Sequence, residues 1–416
     1  MACAMACAMV ADALRADVRR GVPGVRDTVN LQVAPPVGLR ATRLALFAFF
    51  LVNGVGIASW AAHIPDVKRK FGFSDATLGL ALLAVAAGSV GALLLGGQLI
   101  ARWGSRTVIV AGASGFCVVL PLLLLAPTVP LLFLVLPVFG ACIGAMEVAI
   151  NVQAVAVEER YRRPIMSTFH ALFSVGGLLG AALAALVLAR GVAPGAHLVA
   201  VALALGALAA LGVPHLLPAD AAAPDDSPAF VLPAGPLLGL SLLAFCCLVA
   251  EGAMADWSAV YLRDRLGTGP AFAAAGYAAF SMAMAVGRFG GDALRARLRA
   301  VPLLRLSGVF AAVGLGVGLL IAQPVAALVG FACVGLGLAN IVPVLFTAAG
   351  KTPGIAPGMG IAAVASVGYF GFLLGPPLIG FVARATSLTV GLGLVALLIA
   401  LIALGAGGAS QADRAR

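Results

Sequence analysis

Charge is scarce in this chain. Only 10% of its 416 residues are Asp, Glu, Lys or Arg, against about 25% in a soluble globular domain. The wettable surface of a soluble protein of this length is therefore missing. Histidine is scarcer, with only His63, His170, His197 and His215. An intramembrane enzyme would need a nucleophile–base pair or a set of metal ligands, and three of these four lie near the ends of apolar runs. The seven cysteines show no CxxC and no Cys/His spacing. Neither a metal site nor a disulfide framework is supported, and Cys117, Cys142, Cys246, Cys247 and Cys333 read as small packing residues. No GxxxxGK[ST] occurs, so the chain carries no ATP-driven motor of its own. No apolar core precedes a small-residue cleavage site, so the first long apolar stretch is expected to be an uncleaved span.

What the chain has is apolar length. It is 62% hydrophobic and holds 52 glycines, the small residue that lets helices pack closely in lipid. Runs long enough to cross a bilayer are expected at 42–63, 76–101, 107–126, 130–156, 165–189, 195–217, 235–262, 271–291, 302–321, 325–349, 357–382 and 387–408. The fold class is an all-α integral membrane protein with twelve transmembrane helices. An even number of spans puts both ends on one side. Nineteen of the 26 Lys and Arg residues then fall on that side, with Lys68, Arg69, Lys70, Arg190, Arg263, Arg265 and Arg384 opposite. This bias predicts cytoplasmic termini in an inner membrane and accounts for the net charge of +10 without nucleic acid. The Lys68–Lys70 cluster runs against it, partly neutralised by Asp66 and Asp75.

Residues 1–41 are polar and Arg-rich and read as a disordered cytoplasmic leader, 409–416 as a short tail. The segment 218–234 is rich in Pro and Asp and reads as a linker. It divides the spans into bundles at 42–217 and 235–408. Trp60 and Trp257 are 197 residues apart, as are Gly79 and Gly276, which suggests internal duplication.

Glu147 lies in the apolar run 131–153. A carboxyl group at that depth costs on the order of 3 kcal/mol, and persists where it faces protein or a water-filled cavity. Desolvation moves such a group toward exchanging protons near neutral pH. Asn151 is one turn on, on the same helix face. His170 lies about 10 Å along the next span, as deep as Glu147, so the two are placed to meet as a proton relay. Glu251 is the second candidate for solute or proton. Asp256 is about 140° around the same helix, so the two are not expected to face one spot; Arg263 is a partner for Asp256. Trp60 and Trp257 could stack on a solute, or form an interfacial belt. Asn151, Gln153 and Asn340 supply neutral donors and acceptors that suit a hydroxylated or zwitterionic solute better than a bulky lipophilic cation, and Asn53 and Tyr369 are further polar candidates for the solute site.

The segment Gly97-Gln-Leu-Ile-Ala-Arg102-Trp-Gly104-Ser-Arg106 resembles the inner-loop signature of the major facilitator superfamily, with Ala101 where the family usually has Asp. Asp292 and Arg295 occupy the second-half copy. The resemblance covers about 42–408 and implies two pseudo-symmetric six-helix bundles, secondary transport by alternating access, and a latch formed by Gly97, Arg102, Gly104, Arg106, Asp292 and Arg295 in the outward-open state. Asn53-Gly-Val-Gly-Ile-Ala-Ser-Trp60, Gly144-Ala-Met-Glu147-Val-Ala-Ile-Asn151 and Glu251-Gly-Ala-Met-Ala-Asp-Trp257 are similar to the fucose-permease-like branch, in particular proteins of the YbjJ type. That likeness implies a fourth-span carboxylate in proton coupling, matched by Glu147. The branch's first-span Asp has no counterpart, since the first span offers Asn53. The expected partners are a small sugar-like solute, protons and the bilayer, acting on a monomer with no cofactor or metal; proton-driven efflux is the alternative.

Overall fold

A computed structural model describes residues 37–161, 165–218, 232–355 and 357–413. Most of the expected leader and linker lies outside these residues. Every regular element among the described residues is helical, and twelve helices are long and apolar enough to cross a membrane. They are α1 Val37–Phe71, α2 Asp75–Trp103, α3 Ser105–Leu125, α4 Val129–Tyr161, α5 Met166–Ala189, α6 Pro194–Gly212, α7 Pro236–Val260, α8 Pro270–Phe289, α9 Ala300–Ile321, α10 Pro324–Gly350, α11 Pro357–Ala385 and α12 Leu388–Gly405.

Local chemistry sets many of the ends. Proline stands in the first turn of α6, α7, α8 and α10, where its missing N–H costs nothing. The side chains of Ser74 and Ser387 accept hydrogen bonds from the N–H groups of Thr77 and Val390, capping α2 and α12. Gly104 alone joins α2 to α3 with φ 76°, a backbone that favours glycine. The Glu158 carboxylate accepts from the N–H groups of Ile165 and Met166, both at 2.7 Å, capping α5 from the end of α4.

Three expectations need correction. The first span does not end at 63 but continues two turns to Phe71, because its late polar residues find partners described below. The tenth span is broken at 339–340, where the Asn340 amide donates to the carbonyl of Gly287 at 3.0 Å. The segment after α8 is a short helix, Gly291–Arg297, not a loop.

Helix pairing repeats with a shift of six. Helix α1 packs on α5 and α6, α2 on α4, and α3 on α4 and α6; α7 packs on α11 and α12, α8 on α10, and α9 on α10 and α12. The halves meet chiefly through α2 against α11 and α5 against α8. The matched glycines do not share a role. A Cβ on Gly79 would sit 2.8 Å from the Pro376 carbonyl of α11, whereas one on Gly276 would meet Leu262 and Ser258 of its own half.

The end of the bundle holding Phe71 and the end of α7 is called here the distal face; the opposite, terminal face holds residues 37 and 405. The distal face is tied shut between the halves. Lys68 Nζ lies 2.6 Å from both Asp75 and Asp264, Arg263 lies 3.9 Å from Asp66, and Asp66 also pairs with Arg69. Lys70 donates to the carbonyls of Leu124 and Ala126 at the end of α3. A Cβ on Gly380 would come within 2.5 Å of the Asp75 carbonyl, so α2 and α11 touch backbone to backbone. At the terminal face, Arg102 lies over the ring of Trp103, and neither it nor Arg106 has an ion pair among the described residues. Arg295 lies 2.7 Å from Asp413 of its own half. The side chain of Asp292 lies outside the described residues.

Candidate functional site

Between the halves, at mid-depth, lies a cavity with about 1000 Å³ of empty space, its open mouth included. The first half contributes Ile57 and Trp60 of α1, Leu82 and Ser89 of α2, Phe139 and Glu147 of α4, and Phe173 of α5. The second half contributes Glu251, Gly252, Ala255 and Asp256 of α7, Tyr277 and Phe280 of α8, and Tyr369 and Phe372 of α11. Most of the wall is apolar or aromatic. The acidic side chains that reach it are Glu147, Glu251 and Asp256.

Glu147 and Glu251, one from each half, are 7% and 4% exposed. Glu251 has no hydrogen-bond partner among the described residues, and its Oε2 is fully enclosed. The expectation that Glu251 and Asp256 face different spots fails: both line the cavity. Between them α7 carries only Gly252 and Ala255 on that side. These small residues leave the helix face open, so carboxylates on its two flanks reach one space. Arg263 lies beside Asp66 rather than Asp256, and Asp256 has no ion pair or hydrogen bond among the described residues.

The other expected residues divide. Trp60 lines the cavity and packs edge-on against Phe139, centroids 6.0 Å apart. Tyr369 lines it too. Trp257 is fully buried away from it, with its indole N–H unpartnered. Asn53 is fully buried, neither amide atom has a partner, and it occupies the α1 stripe of Ile57 and Trp60, one turn nearer the terminal face. Asn151 donates to the Glu147 carbonyl at 2.9 Å. Gln153 clamps Ser105 and Leu217, and Asn340 holds Gly287. None of these amides lines the cavity. His170 does not line it either; its ring stands edge-on to Phe50 at 5.3 Å.

The sequence reading missed two arrangements. Arg288, one of the nineteen basic residues counted on the side of the termini, is at the end of α8, where it couples electrostatically to Glu251, Tyr277 and Cys247 and its Nη1 donates to Ser174 of the opposite half at 3.4 Å. It already fell within the apolar run 271–291, and that was the available signal. His63 and His197, read as span-end residues, meet. His63 Nδ1 is 2.7 Å from Asp66 and its Nε2 is 2.8 Å from His197 Nδ1, all buried. No local pattern announces this contact, since 134 residues separate the two histidines.

A cavity at mid-depth between two six-helix halves, closed at one end, is the architecture of a rocker-type carrier. Residues 44–376 match the sequence profile of the Major Facilitator Superfamily. An uncharacterised MFS-type transporter of Yersinia pestis is 40% identical over 366 residues, 88% of this chain and 94% of that one. The membrane protein MosC of Rhizobium meliloti is 35% identical over 361 residues, 84% and 86% of the two chains. Among solved structures, the nucleoside transporter NupG superposes with TM-score 0.67 at 14% identity, covering 90% of this chain and 99% of its own. An inward-facing, unoccupied bacterial homologue of the human lysosomal transporter Spinster gives 0.65 at 15%, covering 90% and 98%. The chain belongs to the Major Facilitator Superfamily and is a multi-pass membrane transporter of that fold.

Proposed function

We propose that the chain moves a small, ring-bearing polar solute of sugar-like size across the inner membrane by alternating access, coupled to protons. One observation carries this reading: Glu147 and Glu251, from opposite halves, line the same mid-depth cavity beside Trp60 and Tyr369. Rocking of the halves moves two nearly buried carboxylates relative to one another and to water, which is what a proton-coupled step requires. Trp60 and Tyr369 offer stacking faces for a ring. Asn53, orphaned one turn beneath, is positioned to join the solute when the halves shift. His170 is the candidate relay to Glu147 from the terminal side. Arg102 and Arg106, without an ion pair among the described residues of this distal-closed state, are the candidates to latch the terminal face in the other. The Lys/Arg bias places the terminal face in the cytoplasm, and a single chain contains the whole cavity.

A second reading is proton-driven efflux of a lipophilic cation. It draws on the aromatic, acidic wall and on the absence of Asn151, Gln153 and Asn340 from it.

The test is transport in proteoliposomes with labelled sugars, and with lipophilic cations as the rival cargo. Glu147→Gln is expected to abolish accumulation driven by a pH gradient and to retain counterflow exchange. Undiminished gradient-driven accumulation in Glu147→Gln would remove Glu147 from the coupling step.

A further inference from the structure

We infer that the transported solute carries a protonated amine on its ring. This rests on the reading of the cavity as the solute site and names the class of cargo it takes.

The charge balance of the wall is one-sided. Its carboxyl groups are Glu147, Glu251 and Asp256; no Lys or Arg among the described residues lines it, and Arg288 couples electrostatically to Glu251 from the end of α8. Acids therefore outnumber bases. An acidic cluster alone would mean little, but Glu251 is 4% exposed, lines the cavity and has no hydrogen-bond partner among the described residues. Asp256, on the other flank of Gly252 and Ala255, is likewise without a partner among the described residues. A buried carboxyl group without a donor is costly when ionised, and either a proton or a bound cation relieves that cost. Ionised carboxylates are pure acceptors, and an ammonium supplies three donors and the opposite charge in one group.

The remaining wall agrees. Trp60, Tyr277, Phe280 and Phe372 surround the acids, and aromatic faces attract a desolvated cation as well as a ring. The amides that would read a purely neutral solute by paired donors and acceptors are elsewhere: Asn151 on the Glu147 carbonyl and Asn340 on Gly287. A carboxylated solute would meet like charge from every acidic group here.

The test is ligand-dependent thermal stabilisation of the purified full chain in detergent, with matched probes: glucosamine, glucose and glucuronate, and cyclohexylamine with cyclohexanol. In at least one pair the amine should bind at least about tenfold more tightly than its neutral partner, the gain expected of a charge-assisted hydrogen bond. Glucuronate should not bind. The preference, read as the ratio of amine to neutral-probe affinity within each variant, should fall below about threefold in Glu251→Gln and in Asp256→Asn. Ligand-free melting of each variant reports folding, and if Glu251→Gln fails to fold, Asp256→Asn decides the matter. Equal binding of amine and neutral partner, survival of the preference in both variants, or no binding by either amine overturns the inference. Equal binding would leave transport of a neutral ring standing, whereas pH-driven uptake surviving in Glu147→Gln would remove the coupling and leave the amine preference intact.

Discussion

Lys68 of the first half reaches Asp264 of the second at 2.6 Å while holding Asp75 at the same distance. One ammonium therefore staples both halves at the distal face. Lys68 is 15% exposed and Asp264 28%, so the pair is partly screened and contributes about 1 kcal/mol, the upper end for surface ion pairs. Lys68→Met should weaken the distal-closed state by about fivefold. The readout is the rate at which a membrane-impermeant maleimide modifies Ala255→Cys from the distal side in a cysteine-free background. An unchanged rate would mean that glycine packing alone holds this face.

That packing makes its own prediction. A side chain at Gly380 would strike the Asp75 carbonyl, whereas at Gly97 a Cβ meets nothing within 4 Å. Gly380→Val should lower apparent stability by about 1–3 kcal/mol through forced separation of α2 and α11. Gly97→Leu should change it by less than about 0.5 kcal/mol. If Gly97 belongs to the latch of the alternate state, the same Gly97→Leu must still depress transport. Melting in detergent and uptake in vesicles separate the two effects, and normal uptake by Gly97→Leu would end the latch role.

The twelve spans were legible because a bilayer demands about 20 apolar residues for each, and few other patterns meet that demand so often. Span ends were less so. The last two turns of α1 carry His63, Asp66, Lys68, Arg69 and Lys70, and their partners include His197 and Asp264, far along the chain. The site was legible where a polar or aromatic residue interrupted an apolar run, as at Trp60, Glu147, Glu251 and Tyr369. Angular spacing alone misplaced Asp256, because it treats a cavity as a point. Arg288 was absorbed by the rule that basic residues flank spans. Asn151 and Asn340 show the converse: a buried amide satisfies its own helix or ties two together, and nothing in its spacing separates that from solute binding.

The histidine pair permits an asymmetric test. His63 holds two partners, Asp66 and His197, whereas His197 holds only His63, its Nε2 being buried without a partner. His63→Phe strands one oxygen of Asp66 and one nitrogen of His197. His197→Phe strands only His63 Nε2. Each orphaned group costs about 1–3 kcal/mol, so His63→Phe should be the more destabilising by about one such increment. Apparent unfolding free energies of the two variants decide it, and equal losses would show that Asp66 is sufficiently served by Arg69 and Arg263.

Arg288 and Glu251 sit in different helices of the second half, coupled through space and without an ion-pair contact. At an effective dielectric near 20, a coupling of opposite charges short of an ion pair is on the order of 1–2 kcal/mol. Arg288→Met removes the cation coupled to Glu251 from the end of α8, and also removes the tie to Ser174 of the other half. Glu251→Gln leaves the guanidinium without its carboxylate. The double variant discards both charges together, so its loss of stability should fall short of the two single losses combined by that same 1–2 kcal/mol. Additive losses would mean that Arg288 acts through Ser174 and the packing of α5 on α8. Charge balance at Glu251 would then have to come from the solute itself.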